Sequence, residues 1–119
     1  MAGPGGGITA KNFSSILRSL YFSAYLSYEN SNELLEIMSI PSSDDLLRKE
    51  IPQNIKVANK FGVYNMGIAR DEIYSDCGFV YLPKRNYTLC IMVKGASNPD
   101  TAKQQIIDIS KVTYEYVRD

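Results

Sequence analysis

The chain reads as an α/β protein of the α+β kind, a three-stranded antiparallel meander with helices packed on it. Three observations predict this. The runs Ile55–Gly62, Glu72–Leu82 and Tyr87–Lys94 are rich in β-branched and aromatic residues and follow one another across short polar interruptions. Two segments before them and one after repeat apolar residues every three or four positions, the period of a helix with one buried face. The composition, 45% hydrophobic and 22% charged, is that of an ordinary globular domain.

The elements are justified in order. Residues 1–7, Met-Ala-Gly-Pro-Gly-Gly-Gly, read as a flexible lead, and residues 8–119 as one folded unit. Thr9 is suited to cap a first helix running to about Tyr25. Phe13, Ile16, Leu17, Leu20 and Ala24 give that helix a buried stripe, which Tyr21, Phe22 and Tyr25 widen. Ser27 caps a second helix whose apolar face is Leu34, Leu35 and Met38, and Pro41 stops it. Asp44 to Lys49 reads as a short helical turn, with acids first and bases last as the helix dipole favours.

Strand Ile55–Gly62 comes next, then a loop over Val63–Asp71. The second strand runs from about Glu72 to Leu82, a four-residue turn covers Pro83–Asn86, and the third strand is Tyr87–Lys94. Pro99 fits the first position of a last helix, about Asp100 to Val117. Its expected apolar stripe is Ala102, Ile106, Ile109, Val112 or Thr113, and Tyr116.

Several functions are excluded by composition. The chain has no histidine, so it contains neither a Ser-His-Asp nor a Cys-His catalytic set, nor an imidazole metal site. Two cysteines make no zinc site by themselves, and no metal or cofactor is expected. Thirteen basic residues balance thirteen acidic ones, so no global field points to nucleic acid. No apolar run is long enough for a membrane span, and the first residues have neither the charged nor the apolar region of a secretory signal. A turn centred near Arg85 sets Cys77 opposite a residue near Met92, so Cys77 and Cys90 read as two buried thiols.

The order of helices and strands, with Lys60-Phe61-Gly62 at the end of the first strand, resembles the C-terminal part of a class A β-lactamase-like or penicillin-binding-like serine hydrolase. In that family a Lys-Thr-Gly strand leads a terminal hairpin and a closing helix. The resemblance runs from Ile8 to about Val117 and covers about half of a family domain. It implies a fold that is the C-terminal portion of the β-lactamase-like architecture. It also implies acyl-enzyme hydrolysis of a β-lactam or peptide-like amide in the complete protein. The parent family is typically extracytoplasmic.

The chemistry of the retained strand is intelligible in itself. An ammonium such as that of Lys60 can hold a substrate carboxylate and stabilise charge near an attacking serine, and a glycine such as Gly62 allows a substrate backbone to approach. The resemblance makes the Val63 N–H one half of an oxyanion hole, and places at Phe61 a threonine or serine whose hydroxyl meets the substrate carboxylate. The expected substrate-binding set is Lys60, Phe61, Gly62 and Val63, with no catalytic residue in the chain.

The family's other signatures are missing. No Ser-x-x-Lys occurs, and the nearest match, Ser15-Ile-Leu-Arg18, ends in a guanidinium that never serves as a base. No Ser-Asp-Asn occurs; Ser75-Asp76-Cys77 lies within an expected strand. Glu50-Ile-Pro-Gln-Asn54 has the spacing of the deacylating loop but sits directly before the Lys60 strand, so Glu50 reads as a solvated helix end. Asp76 reads as a hydrogen-bonded structural aspartate, with Arg70 a candidate partner.

The chain alone is therefore expected to be inactive. The alternative reading is a non-catalytic binding or assembly module that retains only the scaffold. The partner expected for the apolar strand 87–94 is the missing N-terminal half, or a second copy by self-association.

Overall fold

The computed structural model describes residues 7–64 and 72–119. Its elements are α1 (Ala10–Tyr21), α2 (Tyr28–Met38), β1 (Val57–Tyr64), β2 (Ile73–Val80), β3 (Tyr87–Lys94) and α3 (Pro99–Arg118). The three strands form one antiparallel sheet in the order β1-β2-β3, the expected meander. Thr9, Ser27 and Asn98 cap the helices, their side chains accepting from the amides of Asn12, Asn30 and Thr101. Pro99 stands in the first helical turn, where its missing N–H costs nothing.

Alternation along the strands divides the sheet into two faces. Val57, Asn59, Phe61 and Val63 share one face with Tyr74, Asp76, Gly78, Val80, Leu89, Ile91 and Val93, their partners in register. This face carries the main core, closed by Leu46, Leu47 and Ile51 of the connection before β1 and by Ala102, Ile106 and Tyr114 of α3. The opposite face, with Ala58 and Tyr81, packs against Leu20 of α1 and Leu26, Leu35 and Met38 around α2.

Several expectations are corrected. α1 ends four residues early, because Ser23 takes a left-handed backbone (φ 51°) and turns the chain. Of its expected stripe, Leu17 and Leu20 are buried, whereas Ile16, Phe22 and Tyr25 are exposed. In α3 the buried line is Ala102, Ile106, Ser110 and Tyr114, at strict four-residue spacing, while Ile109, Val112 and Tyr116 face outward. The segment 44–49 is not helical. The amides of Leu46 and Leu47 both donate to Asp76 Oδ2, at 2.8 Å each, instead of closing a helical turn. β1 starts and ends two residues later than expected, so Val63 belongs to the strand and not to a loop.

The cysteines are the largest correction. Cys77 and Cys90 stand directly opposite each other, Cα to Cα 3.9 Å, and form a disulfide. The expected register fails because the hairpin loop spans residues 81–86 and is centred one residue earlier. Tyr81 leaves the hairpin ladder and donates its N–H to Lys56 O, Leu82 drops into the core, and Lys84 adopts φ 67°. Moving the turn centre by one residue moves every cross-strand partner by two.

Candidate functional site

The expected site lies on β1, at one edge of the sheet. Lys60 is exposed, and its Nζ donates to the Phe61 carbonyl at 2.6 Å. The Val57 carbonyl on the same strand accepts from Arg48 Nη2 at 2.7 Å. Both carbonyls therefore point away from β2. Peptide groups alternate in direction along a strand, so those of Asn59 and Val63 lie on this same open side. Behind it, Gly62 faces Ser75, and a Cβ there would meet Ser75 Oγ at 3.3 Å.

The four expected residues divide between the faces of the sheet. Lys60 and Gly62 share the face of α2; Phe61 and Val63 share the face of the main core. The Phe61 ring is half-buried against that core. What Phe61 offers to the open edge is its backbone. A hollow of about 250 Å³ adjoins the strand, lined by Ile37, Met38 and Ile40 and by Asp45, Asn59 and Lys60. A larger hollow, about 570 Å³, lies elsewhere, beside Arg85 and Val117. There Arg85 Nη1 donates to the Val117 and Arg118 carbonyls, which makes it a cap for the end of α3.

A buried polar cluster sets the position of this strand, and most of it escaped the reading of the sequence. Asn59, directly before Lys60, donates from Nδ2 to Asp45 Oδ1 at 3.0 Å and to Asp76 Oδ1 at 2.9 Å. Its Oδ1 accepts from Arg48 Nη2 at 2.6 Å and from Arg48 Nε at 3.2 Å. Arg48 also pairs with Asp45 at 3.0 Å. Asp76 is fully buried, and burial pushes its carboxyl above the ordinary carboxylate range against the opposing hydrogen bonds from Asn59, Leu47 and Leu46.

The expectation of a structural Asp76 agrees with this geometry. Its described partners are Asn59 and two backbone amides, whereas Arg70 lies outside the described residues. One signal in the sequence pointed to the cluster: Asn59 is a polar residue in a strand whose other core-facing members, Val57 and Phe61, are apolar. Among the described residues no group of histidine, cysteine or acidic side chains is arranged to hold a metal ion, and no helix is long and apolar enough to cross a membrane.

Comparison with known proteins places this geometry. The family model described as the beta-lactamase enzyme family matches residues 2–117. Among solved structures, that of PBP-A superimposes with a TM-score of 0.74 at 24% identity, over 88% of this chain and 38% of that one. A β-lactamase from Sphaerobacter thermophilus gives 0.76 at 16% identity, over 89% and 39%. A class A β-lactamase from Mycobacterium abscessus gives 0.74 at 17%, over 92% and 41%. The chain thus spans about two-fifths of the structures it matches. No curated protein sequence matches it.

Proposed function

The chain belongs to the beta-lactamase enzyme family, and on that premise we propose that it is the C-terminal part of a serine hydrolase. In this reading the complete protein forms an acyl-enzyme with a β-lactam or a peptide-like amide, and this part supplies the substrate-binding strand. The observation that carries it is the open side of β1. A lysine ammonium, a residue without a side chain and a backbone N–H, at Lys60, Gly62 and Val63, follow one another along a strand edge that no other strand occupies among the described residues.

Lys60 attracts the substrate carboxylate and stabilises negative charge as the acyl bond is attacked. Gly62 lets the substrate chain lie against the strand. The Val63 N–H takes the developing oxyanion. The nucleophile and its base come from the remainder of the domain, the expected partner of this part. The disulfide supports an oxidising compartment as the place of folding. A second reading, a non-catalytic module built on the same scaffold, is favoured by one observation. Phe61 directs an aromatic ring to the core where the family pattern has a hydroxyl for the substrate.

The test is acylation. The chain alone should retain no penicilloyl group by intact-protein mass spectrometry and should leave a chromogenic cephalosporin unhydrolysed. Combined with a family N-terminal segment that carries Ser-x-x-Lys, it should acylate. Lys60→Ala should then slow that step by on the order of a hundredfold, the effect of removing one preorganised electrostatic group. Acylation of the chain alone, or an unchanged rate in the complemented Lys60→Ala protein, rejects the assignment.

A further inference from the structure

We infer that the hollow beside Lys60 receives the leaving group of the substrate and that Arg48 closes it, so that bonds are cut only near a carboxyl terminus. This rests on the hydrolase reading and adds to it the class of substrate. In that reading the Val63 N–H meets the scissile carbonyl and the Lys60 ammonium meets the carboxylate. Lys60 Nζ lies 2.6 Å from the Phe61 carbonyl, which belongs to the next outward-facing residue before Val63. At about 3.4 Å per residue the two groups are roughly 7 Å apart along the edge. One extended residue of about 3.5 Å, with a hydrogen bond at either end, bridges that distance. The leaving group therefore runs from Val63 towards Lys60, and anything beyond its carboxylate heads for Asn59 and Val57.

The chain blocks that path with one of its own side chains. Arg48 Nη2 donates to the Val57 carbonyl at 2.7 Å and to Asn59 Oδ1 at 2.6 Å, while Nη1 donates to the Ser39 carbonyl at 3.2 Å. The guanidinium thus bridges β1 to the end of α2, and the Asp45 carboxylate, 3.0 Å from Nε, holds it there. A substrate chain laid along β1 would find the outward carbonyl of Val57 already taken and a planar cation across its way. All of these groups belong to this chain, so the closed end is complete without the remainder of the domain. Between it and Lys60 the hollow encloses about 250 Å³, less than the roughly 300–1,000 Å³ of a pocket that receives a drug-sized ligand. It has room for a short leaving group and not for a continuing chain.

The lining indicates the chemistry of that group. Ile37, Met38 and Ile40 give one wall an apolar surface. Lys60 supplies a cation, and among the described residues no carboxylate stands within ion-pair distance of it, whereas Lys56 and Arg48 are paired with Glu36 and Asp45. An apolar residue that ends in a carboxylate complements both the wall and the ammonium. A second negative charge on the leaving group is opposed by Asp44 and Asp45, which also line the hollow.

Acyl transfer from a series of esters tests this. The complemented protein, this chain with a family N-terminal segment that carries Ser-x-x-Lys, is offered one acyl group on leaving groups of one, two and five apolar residues. Each leaving group begins with a hydroxy acid and ends in a free carboxylate. The acyl carbon bonds to the serine oxygen, and the leaving alcohol departs with the proton that this oxygen gives up. Intact-protein mass spectrometry follows the acyl group. The five-residue leaving group should acylate more slowly than the one-residue group by roughly tenfold or more, the discrimination of a pocket that lacks room. Arg48→Met, which removes the bridging guanidinium and keeps an apolar stem, should narrow that ratio. If Arg48→Met fails to fold, the ratio in the unaltered protein alone decides. Equal rates across the series, a ratio unchanged in folded Arg48→Met protein, or no reaction with any ester in a protein that penicillin acylates overturns the inference and leaves the hydrolase role standing. No acylation by penicillin or by any ester rejects both.

Discussion

Replacing Asp76 by alanine should destabilise the fold by about 2–4 kcal/mol, because two buried backbone amides lose their acceptor at about 1–3 kcal/mol each. Those amides, of Leu46 and Leu47, sit 2.8 Å from Asp76 Oδ2, and neither closes a helical turn in its place. Asn59 suffers less, since its Nδ2 keeps Asp45 Oδ1 at 3.0 Å. The relief of a buried carboxyl offsets part of the loss, which is why the range stays in the lower half of the sum for two orphaned donors. On a total stability of about 5–15 kcal/mol the effect is large.

The size of that effect depends on pH, and its sign is determined by the direction of the carboxyl's shift. Burial raises the folded-state pKa of Asp76, so the folded protein holds this proton more tightly than the unfolded chain does. The contribution of Asp76 is fully present below the unfolded pKa and declines as pH rises through the folded one. The difference between wild type and Asp76→Ala should therefore be greatest in acid and smaller at neutral pH. Urea unfolding followed by far-ultraviolet circular dichroism, at both pH values, measures it. A difference that grows with pH, or one within about 0.5 kcal/mol of zero at acid pH, would refute the reasoning.

Two further outcomes concern the sheet. Gly78→Ala should cost about 3 kcal/mol, because the added Cβ would meet the Ala58 carbonyl at 2.6 Å and Asn59 Cβ and Leu47 Cδ2 at 2.9 Å; a thermal midpoint equal to wild type would contradict this contact. The oxidised protein should show no thiol reactive to alkylation under denaturing conditions. Reduction should lower its stability by about 3 kcal/mol, the chain-entropy value for a loop near this length.

The layout of the fold was legible because its signals are local. Caps at Thr9 and Ser27, Pro99 at a helix start, and three β-rich runs each announce an element without reference to the rest of the chain. The strand that carries Lys60 and Gly62 was legible for the same reason. What escaped depends on distance. The Leu46 and Leu47 amides belong to a segment whose charges favour a helix, and only a carboxylate about 30 residues away in sequence draws them out of it. The hairpin register turned on whether Tyr81 and Leu82 extend the strand or enter the loop, and neither residue's own preference decides that. On α3, Ile109 and Ser110 exchange the roles that hydropathy assigns them, because the Ser110 hydroxyl has the Leu47 carbonyl as a partner.

The position of Asp76 also bears on the chain before it folds. From Ile73 to Leu82 it is the sole formal charge in a run of β-branched, aromatic and small residues, a stretch with the makings of a cross-β seed. In the unfolded chain its ionised carboxylate would sit at the centre of any such stack and repel its copies, the physical action of a gatekeeper charge. Folding then withdraws that charge into the sheet and gives it backbone donors. The same carboxyl that is costly to bury in the central strand is the one charge that strand carries before it is buried.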